Sequence, residues 1–103
     1  MLLGMEGFEA IGNGAAMRIT VMRDGGCGRL LVEIAHEVDG EPCLMSAEGC
    51  PPECPLAGLG CGDRATWMAS GDPAAGTLSL APGLHCAAHG FAGYVRDGRW
   101  EPA

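Results

Sequence analysis

With 103 residues the chain is one small domain, and two Trp, two Phe and one Tyr among 18 glycines leave a thin core that gains from a metal, disulfides or a partner. The net charge is −7, lysine is absent, and the six arginines lie scattered among acids, which excludes tight phosphate-backbone binding by the lone chain. No stretch approaches the roughly 20 apolar residues of a membrane-spanning helix.

The N-terminal MLLGMEGFEAIGNG lacks the basic flank and apolar run of a signal peptide. A cytoplasmic location is therefore expected, or a virion if the chain is phage-encoded. Reduced thiols follow, and they turn the six cysteines away from disulfides and towards metal.

In chain order, residues 1–15 are Gly-rich and read as an extended arm, with Phe8 and Ile11 as docking residues. Residues 16–46 read as a β-hairpin or meander. Ile19 and Val21 alternate with Thr20 and Met22 as in a strand. Residues 29–38 fit either a strand, with Leu30, Val32, Ile34, His36 and Val38 on one face, or a helix stopped at Asp39-Gly40. The strand is preferred, because Asp39-Gly40 is also a two-residue hairpin turn leading into Pro42–Ser46.

From Ala47 to Gly62 the chain is a Pro/Gly/Cys-rich loop, long enough to need an anchor such as a metal. A hairpin follows, RATWMAS and TLSLA around GDPAAG, then a break at Pro82-Gly83. Leu84–Gly90 is expected to open a short helix carrying Cys86 and His89 one turn apart. Residues 94–103 read as a tail with an Asp97-Gly98 turn and an exposed Trp100.

A structural zinc takes four ligands tetrahedrally from Cys thiolates and His nitrogens. Cys86-x-x-His89 supplies a well-spaced half site, and the Cys-rich loop supplies the other. The candidate ligands are Cys54, Cys61, Cys86 and His89, with Cys50 as the alternative first ligand. The competing account is incidental thiols in a loop. A second set, Cys27, His36, Cys43 and Cys50, has spacings that match no ligand pattern, and core packing or loop exposure is the simpler account of each.

The order knuckle, hairpin, helix resembles a treble-clef or zinc-ribbon-like finger. More narrowly, Cys61-Gly-Asp-Arg-Ala-Thr-Trp67 with Leu84-His-Cys86-Ala-Ala-His89 is similar to small uncharacterised zinc-binding proteins of actinobacteria and their phages. The resemblance covers about 54–90 and departs from the pattern in the wide gap between Cys54 and Cys61. It implies a zinc-stabilised knuckle, hairpin and short helix over 47–93, which together with the N-terminal β-meander make the expected fold α+β.

Cys86-x-x-His89-Gly90-Phe91 also resembles the second ligand box of a Rieske iron–sulfur protein, but no Cys is followed two positions later by His to make the first box. An iron–sulfur electron-transfer protein is the alternative reading. Catalysis has little support: Ser46, Ser70 and Ser79 lack His/Asp partners, and the zinc-deaminase boxes are missed. The expected function is a non-enzymatic zinc-binding module for protein interaction or structure, on its own or as an assembly component. Its acidic surface suits a basic protein, with Trp67, Met68, Phe91 or Trp100 as anchors. Neither nucleic acid nor a membrane is expected as a partner.

Overall fold

Three Asx-Gly pairs fold the chain back on itself. Asn13-Gly14, Asp39-Gly40 and Asp97-Gly98 each place both residues in the left-handed region, with φ of 53° and 82°, 52° and 83°, and 51° and 76°. That is the backbone of a type I′ turn, whose twist matches that of paired strands. The computed structural model describes residues 6–21, 29–51, 54, 67–81 and 83–103.

The strands are β1 (Glu9–Gly12), β2 (Ala15–Val21), β3 (Leu30–Val38), β4 (Glu41–Cys50), β5 (Trp67–Ser70), β6 (Ser79–Ala81), β7 (Leu84–Cys86), β8 (Phe91–Arg96) and β9 (Arg99–Pro102). The first six form one sheet in sequence order and the last three a second sheet. All neighbours are antiparallel except β4 and β5, which pair in parallel at Gly49–Trp67 and Cys50–Met68. The two sheets meet where β7 lies against β4, β8 against β6 and β9 against β1.

The core follows the period of two. Val32 and Ile34 of β3 point inward beside Ala47 of β4, and Leu84, Val95 and Trp100 point inward from the second sheet. Opposite faces carry polar residues, including a bidentate Arg18–Glu33 pair at 2.9 and 3.1 Å across β2 and β3. Gly93 faces the indole of Trp100. A Cβ at Gly93 would stand 2.7 Å from that ring and 2.6 Å from the Glu101 carbonyl oxygen, so the close approach requires glycine.

This architecture corrects the expected α+β fold. Among the described residues the one helical element is a 3-10 turn at Pro73–Ala75, capped by Asp72 within the β5–β6 connection. The short helix expected over Leu84–Gly90 is instead strand β7 and a four-residue loop, Ala87 to Gly90, returning into β8. Buried Leu84, exposed His85 and half-buried Cys86 alternate as a strand does, and Gly90 at φ 64° closes the loop before a second helical turn can form.

The treble-clef-like arrangement falls with that helix; Cys61 and the rest of 55–66 lie outside the described residues. Segment 30–38 is a strand, and the hairpin expected around GDPAAG is β5–β6. Ile11, expected to dock, reaches the core from β1. The expected tail is instead most of the second sheet, with Trp100 only 1% exposed. No helix among the described residues is long and apolar enough to cross a membrane.

Candidate metal centre

The site begins with the arithmetic of one hairpin. A two-residue turn at Asp39-Gly40 places Val38 opposite Glu41, and two residues further back it places His36 opposite Cys43. Both side chains therefore share one face of the β3–β4 hairpin, and it is the inner one, in line with Val32 and Ile34. In the second sheet Cys86 is opposite Phe91, again on the inner face with Leu84 and Val95.

The two cross-strand pairs pack on one another, ring on ring and sulfur on sulfur. The His36 imidazole stacks on Phe91 with centroids 4.2 Å apart and planes 1° from parallel. Phe91 stacks in turn on Trp100 at 5.0 Å. Beside this stack the sulfurs of Cys43 and Cys86 are 3.9 Å apart.

The β7–β8 loop adds the fourth group. The His89 backbone N–H donates to the Cys86 carbonyl at 3.2 Å, and this turn holds the His89 Nδ1 3.2 Å from the Cys86 sulfur. Its ring meets His36 edge-on, with centroids 5.5 Å apart. One ligand atom from each of His36, Cys43, Cys86 and His89 can be chosen so that all four lie within 4.8 Å of one another, and the group can hold a metal ion.

Tetrahedral coordination with Zn–S near 2.3 Å and Zn–N near 2.0–2.1 Å puts neighbouring ligand atoms about 3.4–3.8 Å apart. The spacings here, at most 4.8 Å, have to close by no more than about 1.4 Å to enclose one ion.

The surroundings favour the donor state of His36 and oppose that of Cys43. His36 is 5% exposed, and its Nε2 is buried without a hydrogen-bond partner among the described residues. A buried, unpartnered nitrogen is costly in a protein that offers it nothing to bind. Burial, with a smaller contribution from neighbouring His89, lowers the His36 pKa from its ordinary value and keeps the ring in the neutral form that ligates metals. Burial also raises the Cys43 thiol, as do the Cys86 hydrogen bond and charge. A cation would reverse that effect by stabilising the thiolate. Two thiolates and two neutral imidazoles around a divalent cation sum to zero, a balance suited to a half-buried site.

Of the residues expected as ligands, Cys86 and His89 belong to this group. Cys50 and Cys54 are buried but stand outside it. Cys50 ends β4, seven residues from Cys43 and so about 23 Å along an extended strand. The Cys54 backbone N–H donates to the Pro51 carbonyl at 3.0 Å, turning the chain just beyond that end. Cys61 and Cys27 lie outside the described residues.

His36 and Cys43, the two ligand candidates missed as partners of Cys86 and His89, carried a usable signal. The Asp39-Gly40 turn fixes them as a cross-strand pair. Comparison of the chain with protein-family models, with curated proteins and with solved structures finds no match.

Proposed function

We propose that the chain is a zinc-binding protein in which one structural ion ties the β3–β4 hairpin to the β7–β8 hairpin, and that it works as a non-enzymatic interaction or structural module. The observation that carries this reading is the convergence of two Cys and two His from different sheets, with the buried His36 Nε2 unpartnered among the described residues. Tetrahedral S2N2 sets select zinc among the common cations. Four protein ligands also fill the coordination sphere, whereas catalytic zinc keeps a position open.

The partner proposed for such a module is a basic protein surface. The net charge of −7 supports that choice, and Met68, 42% exposed, is an available apolar anchor. Trp100 is excluded from that role by its burial in the core.

The iron–sulfur alternative draws on the same composition, since Rieske centres also use two Cys and two His. There the cysteines hold one iron and the histidines the other, so sulfur–nitrogen distances exceed the sulfur–sulfur distance. Here the Cys86 sulfur is nearer to His89 Nδ1, at 3.2 Å, than to the Cys43 sulfur, at 3.9 Å. That ordering favours a single ion.

Elemental mass spectrometry on tag-free protein, with a visible spectrum of the same sample, tests the reading. About one zinc per chain, colourless, and its loss in Cys43→Ser and His36→Phe are expected. Iron with visible absorption would replace the zinc reading by the iron–sulfur one. Metal retained by Cys43→Ser and His36→Phe would move the site elsewhere.

A further inference from the structure

We infer that Cys43 and Cys86 form a peroxide-sensitive pair: oxidation joins them in a disulfide and releases the metal that they hold when reduced. The inference rests on the zinc reading and assigns a modification to the same site. Its basis is the 3.9 Å separation of the two sulfurs, which come from different sheets with no side chain between them. A disulfide bond is about 2.05 Å long, so the sulfurs must close by about 2 Å. The route in is open, because His89 and the neighbouring loop residues Ala87, Ala88 and Gly90 are exposed, while Cys43 and Cys86 are each half-buried.

The chemistry balances with hydrogen peroxide as the oxidant. The Cys86 thiolate attacks one peroxide oxygen, the O–O bond breaks, hydroxide departs, and the sulfur is left as a sulfenic acid. The Cys43 thiolate then attacks that sulfur, the S–S bond forms, and a second hydroxide leaves. Two sulfurs together lose two electrons, and the peroxide gains them. Two thiolate ligands are lost in the process, and His36 and His89 alone are a poor site for zinc.

The disulfide crosses between β4 and β7, the two strands that the ion connects. The same junction is therefore held by metal under reducing conditions and by a covalent bond under oxidising ones. His36, stacked on Phe91, stays in place through the change, so the aromatic stack forms a common scaffold for both states.

The test uses the full, zinc-loaded chain, with zinc content measured first. Hydrogen peroxide is titrated in, free zinc is read with a colorimetric chelator, and disulfides are mapped by mass spectrometry of non-reduced peptides. The expected result is one Cys43–Cys86 linkage for each zinc released, reversed by a dithiol reductant with added zinc.

Zinc retained at a peroxide level that oxidises the exposed methionine Met68 would overturn the inference and leave the zinc reading standing. So would release accompanied by a linkage between Cys50 and Cys54, or by sulfinic acid without a disulfide. Protein without zinc at the start would overturn the zinc reading itself and the switch with it. Because Cys43→Ser and Cys86→Ser lose the ion outright, Cys50→Ala serves as the control. It is expected to keep both zinc release and the mapped linkage, and loss of the linkage in this variant would place the oxidised pair elsewhere.

Discussion

At the scale of the residue, His36 carries two roles that substitution can separate. Its ring stacks on Phe91, and its Nε2 is a buried polar atom with no partner among the described residues. Phenylalanine keeps the stack and removes the nitrogen. An apolar cavity of about 480 Å³ alongside His36, lined also by Ala15, Ala35 and Phe91, leaves room for the larger ring. His36→Phe should therefore abolish zinc-dependent stabilisation. In chelator it should be as stable as the parent or more so by about 1 kcal/mol, because an unsatisfied buried group has been removed. Urea denaturation with and without zinc checks this, and a large loss of stability in chelator would show that the nitrogen already has a use in the metal-free fold.

The same residues predict how stability responds to pH. The His36 pKa is lowered by burial, so the unfolded chain binds the proton more readily than the folded one. This contribution is present above the unfolded value of about 6.5 and is lost as pH falls through the folded value. The Cys43 pKa is raised, so its contribution is present below the ordinary thiol value of 9.0 and is lost as pH rises through the folded value. Zinc-free protein should be most stable between those limits, which denaturation midpoints at pH 5.5, 7.5 and 9.5 would measure. Zinc binding has its own dependence: two thiol ligands must each give up a proton, so affinity should fall by up to about a hundredfold per unit as pH drops below 7.

At the scale of the element, the type I′ turns provide a matched comparison. Gly14 and Gly40 hold φ of 82° and 83°, and a Cβ at either meets nothing within 4 Å. Alanine at either position thus suffers only the left-handed backbone cost, about 1–2 kcal/mol. In chelator, Gly14→Ala and Gly40→Ala should lose similar stability. Gly40→Ala alone should weaken zinc binding, because its turn sets the register of His36 against Cys43. Isothermal titration with zinc separates the two, and equal loss of affinity would mean that the turn does not position the ligands.

Turns of this kind were also the most legible feature of the sequence. Asp39-Gly40 and Asp97-Gly98 announce hairpins because few other pairs tolerate two left-handed residues in a row. Once β3 and β4 are joined that way, period two gives the inner face and the His36–Cys43 pair. What sequence spacing misled was the second half site. Cys-x-x-His suits one helical turn, yet it equally suits the mouth of a hairpin whose loop contains the second candidate ligand, as at Cys86 and His89. Two residues at the right separation do not distinguish a helix from a loop; alternation at Leu84, His85 and Cys86 does, over a stretch too short to outweigh the motif. Trp100 was misplaced for a related reason, since its burial depends on Gly93 across the β8–β9 hairpin, a fit visible only in three dimensions.

At the scale of the molecule, the ion would act across the junction of two sheets that have different internal supports. The β2–β3–β4 portion has long antiparallel registers and the core residues Val32 and Ile34, whereas β7 is three residues long and pairs only with β8 within its sheet. A ligand that binds only the folded state stabilises it by about 4.1 kcal/mol at a thousand times its dissociation constant. For a domain of this size each 1 kcal/mol moves the melting temperature by about 4–8 °C. Zinc at that excess should thus raise it by about 15–30 °C over protein in chelator.

The gain should also be uneven in space. Amide exchange in β7 and its loop should accelerate first when zinc is withdrawn, because Cys86 and His89 then lose the groups that hold them to β4. Amides of β3 facing β2 should keep protection closer to that of the zinc-bound protein, since their ladder does not involve the site. Hydrogen exchange followed by mass spectrometry distinguishes this from a uniform loss, which would mean that the metal-free chain opens only as a whole. The Trp100 ring, last in the stack from His36 through Phe91, gives an optical counterpart: its fluorescence should change with zinc withdrawal in parent protein but not in His36→Phe, where no ion is held to be withdrawn.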